Sequence, residues 1–148
     1  MAHPILPLLP LIASTAQTTI GIDAVVAIPV LADLSPADAS RFFNRYFYRL
    51  LGPIITLGTA SSMIGSYIYF RRGGNAYFGW GALLAGLHFA YVPLVMYPCQ
   101  TILENKTNKD DPRSVEKAVK KWVRVHKFRL VGDIMSAVCF TLALSAKD

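Results

Sequence analysis

The stretch Trp122-Val123-Arg124-Val125-His126-Lys127-Phe128-Arg129-Leu130-Val131-Gly132-Asp133 opens the last apolar run of the chain, which continues over residues 134–146. At about 100° per residue, Trp122, His126, Arg129 and Asp133 fall within about 60° of one another on a helix. The spacing i, i+4, i+7, i+11 is that of a single buried stripe. Here the stripe carries an indole, an imidazole, a guanidinium and a carboxylate. Lys120, Arg124 and Lys127 face the other way, as a cationic flank does at a membrane surface. A polar stripe that runs directly into an apolar helix needs partners on neighbouring helices, because a buried charge without one is costly.

Three further apolar blocks precede this one, so that residues 8–31, 50–70, 76–97 and 122–146 each approach the ~20 residues a helix needs to cross ~30 Å of hydrocarbon. A soluble helical bundle shows polar stripes along its helices. Residues 50–70 and 76–97 contain no Asp, Glu, Lys or Arg. The chain of 148 residues is therefore expected to form one all-α domain, a four-helix transmembrane bundle embedded in a lipid bilayer.

The formal charge of +6 raises the question of nucleic acid. Its distribution answers in the negative: the basic residues gather in the connections between apolar blocks, and no aromatic-interleaved basic groove is visible. The first connection and the third hold Arg41, Arg45, Arg49, Lys106, Lys109, Arg113, Lys117, Lys120 and Lys121, against Arg71, Arg72 and Lys147 on the other side. The positive-inside rule then puts the two larger connections in the cytosol and both termini in the lumen, in the endoplasmic reticulum or another endomembrane. One feature points the other way. Asn105-Lys106-Thr107 is a glycosylation sequon, usable only in a lumen.

Along the chain, Pro4, Pro7 and Pro10 mark an irregular lead-in to an uncleaved first helix, since no basic region precedes the apolar run as in a signal peptide. Ser35-Pro36 reads as a helix cap with proline at the first helical position. A short amphipathic helix should follow along the interface, with Phe42, Phe43, Tyr46 and Phe47 among Arg41, Arg45 and Arg49. Gly52-Pro53 is expected to start the second span, and Gly58, Ser61, Ser62 and Gly65 permit close helix contact. Arg71-Arg72-Gly73-Gly74-Asn75 is a tight turn, and Asp111-Pro112-Arg113-Ser114 caps a helix that runs into the fourth span.

Ionisable groups at membrane depth are functional suspects. Counted at ~1.5 Å per residue, Asp23, His88, Arg129 and Asp133 converge in the half of the bundle nearer the basic connections, with His126 shallower. Arg129 is expected to balance one carboxylate. Plainer roles stand beside these: an Asp23–Arg129 tie between helices, a satisfied bundle histidine at His88, an interfacial anchor at Trp122. Cys99 and Cys139 lie too far apart along their helices to pair. The histidines His3, His88 and His126 show no metal-site spacing, and no nucleotide loop is present, so no metal, flavin or nicotinamide is expected.

The segment Pro93-Leu94-Val95-Met96-Tyr97-Pro98-Cys99-Gln100-Thr101-Ile102-Leu103 resembles the proline- and methionine-bearing signature that closes the third helix of the anthrone oxygenase-like membrane proteins. Trp122, His126 and Arg129 match that family's W-x-x-x-H-x-x-R, and Gly21, Pro29 and Gly52-Pro53 fit in order. Gln100 stands where the family usually has Asn, and Phe47 or Tyr48 where a tryptophan is common. The resemblance implies oxidation of an anthrone to an anthraquinone by molecular oxygen without a cofactor, in an aromatic polyketide pathway. His126 or Asp133 is then the base and Arg129 holds the oxyanion. Trp122 and Gln100 bind an apolar aromatic substrate beside His88 and Asp23. A non-oxidative cyclase or isomerase, or a non-catalytic membrane scaffold, uses the same residues differently.

Overall fold

The apolar blocks and their basic connections fold almost entirely as helix. The computed structural model describes residues 5–107 and 111–146, with no strand element among them. His3, Pro4, Lys109 and Lys147 lie outside the described residues. Helix α1 (Leu9–Ala27) is extended by 3-10 turns at Leu6–Leu8 and Ile28–Asp33. Pro7, Pro10 and Pro29 each fall in the first turn of one of these segments, where a missing N–H removes no helical hydrogen bond.

Helix α2 (Pro36–Arg72) starts as expected, with Ser35 Oγ accepting from the Asp38 amide at 3.2 Å. The short interfacial helix expected after it is corrected: residues 36–72 form one unbroken helix that runs through Gly52 and Pro53. A proline interior to a helix forfeits one hydrogen bond, and the long flanks on either side carry the helix past it. Gly73, at φ 67°, caps α2 in the left-handed region, and the Gly74 amide donates to Ile68 O at 3.1 Å. Asn75 then caps helix α3 (Ala76–Leu87) through the Tyr77 amide and ties the turn to α5 by donating to Ala143 O at 2.9 Å.

The expected third span also changes shape. After α3 comes a 3-10 turn, His88–Tyr91, and then helix α4 (Val92–Leu103), so this rod changes helix type midway and reaches beyond residue 97. Pro93 has no N–H to offer the preceding turn, which tightens instead. Asn105, at φ 47°, ends α4 in a conformation that asparagine tolerates better than most residues. Helix α5 (Ser114–Ser145) runs without interruption from the Asp111–Arg113 turn into the apolar region, as its sequence predicts.

Three stretches, Leu6–Asp33, Ala76–Leu103 and Ser114–Ser145, are long and apolar enough to cross a membrane. The apolar half of α2 is diluted by Thr56, Thr59, Ser61, Ser62 and Ser66. Helix α5 packs on α1, α3 and α4, while α2 packs on α1 and α3. Two apolar clusters result. One gathers Ile28, Phe43, Ile102, Val119 and Trp122; the other gathers Ile68, Phe78, Ala82 and Phe140. Gln17, His88, Arg129 and Asp133 lie between them in the order of each helix, all buried.

Candidate functional site

The stripe read from the last helix is buried as its spacing predicts. Trp122, His126, Arg129, Asp133, Ser136 and Phe140 all face inward, while Lys120, Arg124 and Lys127 are exposed. Helical periodicity alone accounts for this. What the stripe meets comes from three other helices.

Trp122, His126 and Arg129 form one wall of a cavity of about 500 Å³. Tyr46, Phe47, Leu51 and Ile55 of α2 form another, and His88, Val92, Met96, Cys99 and Gln100 close it from the 3-10 turn and α4. His88 continues the buried face of α3, three residues on from Ala85, and is buried while Leu87 and Val92 are exposed. The lining is predominantly apolar, with polar groups confined to a few positions, as in binding sites for small apolar molecules.

The two histidines differ in how they are held. His126 Nδ1 lies 2.9 Å from the carbonyl oxygen of Trp122. A carbonyl only accepts, so Nδ1 carries the proton and Nε2 keeps its lone pair. The imidazole is also stacked on the Trp122 indole, with centroids 3.4 Å apart and planes 18° from parallel. Trp122 in turn meets the Phe43 ring edge to face at 5.3 Å. His126 is therefore clamped in orientation and tautomer. His88 Nδ1 has two neighbours of opposite demand: Asp133 Oδ1 at 3.1 Å, which accepts, and the Gln17 amide nitrogen, which donates. Its tautomer follows whichever neighbour it engages.

Asp133 sits behind the wall rather than in it. Its Oδ1 accepts from Gln17 Nε2 at 3.1 Å, and its Oδ2 lies 3.7 Å from Arg129 Nε, too far for a hydrogen bond. Arg129 is 6% exposed, lines the cavity, and makes no hydrogen bond among the described residues. Its charge is balanced, but its donors are free. Gly21 makes room for this pair: a Cβ there would stand 3.0 Å from Leu130 Cδ1 and 3.6 Å from both Arg129 Nη2 and Asp133 Oδ2.

The structure distributes the sequence candidates unevenly. His126, Arg129, Trp122, His88 and Gln100 share the cavity, with Gln100 exposed at its rim. Asp133 supports His88 and Arg129 from behind. Asp23 is placed elsewhere. It is exposed and accepts a 2.8 Å hydrogen bond from Tyr46, so the carboxylate beside Arg129 is Asp133, four residues along its own helix. Tying Asp23 to Arg129 assumed that equal depth means contact, whereas a helix also has an azimuth. Trp122, expected to stack on a substrate, lines the cavity and gives one ring face to His126. Gln17 was missed as a site residue; its signal was a lone amide in an apolar helix, a group that must find a partner when buried. Gly58 leaves it space, since a Cβ there would lie 3.1 Å from Gln17 Oε1.

Cys99 and Cys139 are both free thiols, and only Cys99 lines the cavity. Among the described residues, no three His, Cys, Asp or Glu side chains are grouped to hold a metal ion. Fold and site together define an all-helical protein with membrane-length apolar helices and an apolar cavity floored by a guanidinium and two imidazoles. No family model matches the chain, and no curated protein or solved structure matches it either.

Proposed function

We propose that this is a four-span endomembrane enzyme that oxidises an anthrone-type aromatic molecule to the quinone with molecular oxygen as co-substrate. Residues 50–70 of α2 provide the fourth span. The basic connections face the cytosol and both termini the lumen, following the distribution of Lys and Arg. One observation carries the catalytic reading: the free Nε2 of His126 and the guanidinium of Arg129, ion-paired with Asp133 but without a hydrogen bond among the described residues, line the same apolar cavity.

An anthrone's central methylene is acidic, and its conjugate base is electron-rich enough to reduce oxygen. His126 Nε2 takes the first proton. Arg129 stabilises the oxyanion that develops on the ring oxygen, in a site where little water competes for its donors. The carbanion carbon bonds to oxygen and, with the proton returned by His126, becomes a hydroperoxide. Loss of the second C–H proton with departure of hydroxide leaves the carbonyl and one water, so one oxygen atom reaches the product. Asp133 holds Arg129 and His88 in place, and the reaction needs no resident cofactor because the substrate supplies the electrons.

The test uses microsomes carrying the protein, emodin anthrone and labelled oxygen. Quinone with one labelled oxygen is expected, with rates lowered about 10²-fold or more in His126→Ala and Arg129→Gln at equal protein level. Wild-type rates in both variants would sink the assignment. Product formed without oxygen uptake selects a non-oxidative cyclase or isomerase. A second reading is favoured by the Gln17–His88–Asp133 network, which ties α1, the 3-10 turn after α3, and α5 together. In that reading the protein is a scaffold, no variant alters a turnover, and only stability responds.

A further inference from the structure

The cavity has a side that the proposed chemistry does not use. Its rim between α2 and α4 is formed by Ile55, Val92 and Met96, exposed by 48%, 50% and 56%. Leu51 and Gln100 complete it. Ile55, Val92 and Met96 belong to the apolar runs of their helices, at the level where the outside of the bundle is hydrocarbon. The same cavity is lined by Arg129, 6% exposed and without a hydrogen bond among the described residues. A buried guanidinium with free donors is a recognition group for an oxygen-bearing pole, because leaving those donors unmet in an apolar site is unfavourable.

We propose that the ligand reaches this cavity sideways from the lipid, through the opening between α2 and α4, and docks its single oxygen pole on Arg129. Its apolar body then lies along Leu51, Ile55, Val92 and Met96. This rests on the cavity being the functional site, as proposed above, and not on any reaction taking place there. A ligand of this kind needs no aqueous route: it partitions into the bilayer first and exchanges lipid contacts for cavity contacts.

The protein has two tryptophans, Trp80 and Trp122, of which only Trp122 lines the cavity. In Trp80→Phe protein reconstituted into phosphatidylcholine vesicles, Trp122 reports occupancy. The probes are a bromonaphthol and the bromonaphthalene that lacks its hydroxyl, both dissolved in the lipid, with iodide as the aqueous quencher. Bromonaphthol is expected to quench saturably, and its apparent affinity to fall about tenfold in Arg129→Gln. Val92→Phe narrows the opening and should slow the onset several-fold, while Val30→Phe, on an exposed face away from the cavity, should not.

Equal saturation by bromonaphthalene, or unchanged affinity in Arg129→Gln, overturns the docking pole. Iodide quenching as strong as that of the lipid probe, or no effect of Val92→Phe, overturns the lateral route. Should Arg129→Gln fail to fold, Arg129→Lys keeps the charge beside Asp133 and tests the loss of the guanidinium fork in its place. Saturable quenching in protein that does not oxidise an anthrone leaves this inference standing and removes the reaction alone.

Discussion

Around Phe140 itself the bundle is filled to contact, the cavity of about 600 Å³ at that level being lined mainly by α2 and α3 and not by α5, whereas around Trp122, about five turns earlier on the same helix, α5 lines a cavity of about 500 Å³. At the Phe140 end the space is set by glycines. A Cβ at Gly65 or at Gly81 would come within 2.8 Å of the Phe140 ring. Ser136 Oγ donates to Gly81 O at 2.8 Å, and Ser61 Oγ to Pro10 O at 3.0 Å, tying the helices together by side chain to backbone hydrogen bonds. Close packing and short hydrogen bonds of this kind hold helices together where lipid offers no hydrophobic drive for association. At the Trp122 end, Tyr46 and Phe47 of α2 line the cavity together with His88 and Trp122. One end of α5 is thus built for cohesion and the other for access, with the Gln17–His88–Asp133–Arg129 layer between them.

That contrast can be broken most forcefully at its closed end. Phe140→Ala should cost about 3–5 kcal/mol, because the surrounding glycine-backed walls cannot collapse onto the void. The matching truncation at the open end, Phe47→Ala, should cost only about 1 kcal/mol, as Phe47 is half-buried on an existing cavity. Thermal unfolding of both variants in the same detergent measures the difference, and equal losses would erase the distinction.

The intermediate layer comes next. Asp133→Ala removes the countercharge from a buried Arg129 and should destabilise the fold by about 3 kcal/mol. Adding Arg129→Met to it should restore much of that loss, which a double-mutant cycle reads directly. Gln17→Leu deletes one amide from the same layer and should cost about 1 kcal/mol or less, the usual worth of a helix–helix hydrogen bond in a membrane.

The smallest effect belongs outside the bundle. Lys117 donates to Asp111 Oδ2 at 2.8 Å, and this hydrogen bond, with the charge of Lys117 and the Arg113 amide, holds the exposed Asp111 carboxyl below its ordinary range. A depressed folded-state value means that the contribution is present above the unfolded value of about 3.9 and lost as pH falls through the lower folded one. Melting curves across that acid window should show a shallow drop that Asp111→Asn abolishes. Being at the surface, the pair should barely move the midpoint.

Some of this was legible in advance because it depends on one helix at a time. Apolar length marked the membrane-length stretches, and the 3.6-residue period put Trp122, His126, Arg129 and Asp133 on one buried face. The Ser35-Pro36 cap and the Gly73-Gly74-Asn75 turn follow from local backbone preferences, which neighbours within a few residues decide. Other features depend on how one helix is turned relative to another. Asp23 and Gln17 lie on the same helix, and sequence depth favoured the carboxylate; the azimuth of α1 turned Asp23 outward to Tyr46 and Gln17 inward to His88.

By itself, then, the sequence determined an all-helical chain with membrane-length apolar helices, the buried polar stripe of α5 and the caps that delimit several elements. Only the tertiary structure decided that α2 passes through Pro53 unbroken, that His88 meets Gln17 and Asp133, and that Asp133 pairs with Arg129 while leaving its donors free. The physical reason is the range of the forces involved. Hydrophobic period and capping act within a turn or two of helix, whereas a buried hydrogen bond is chosen among all groups that packing brings within about 3 Å, and packing is a property of the whole bundle.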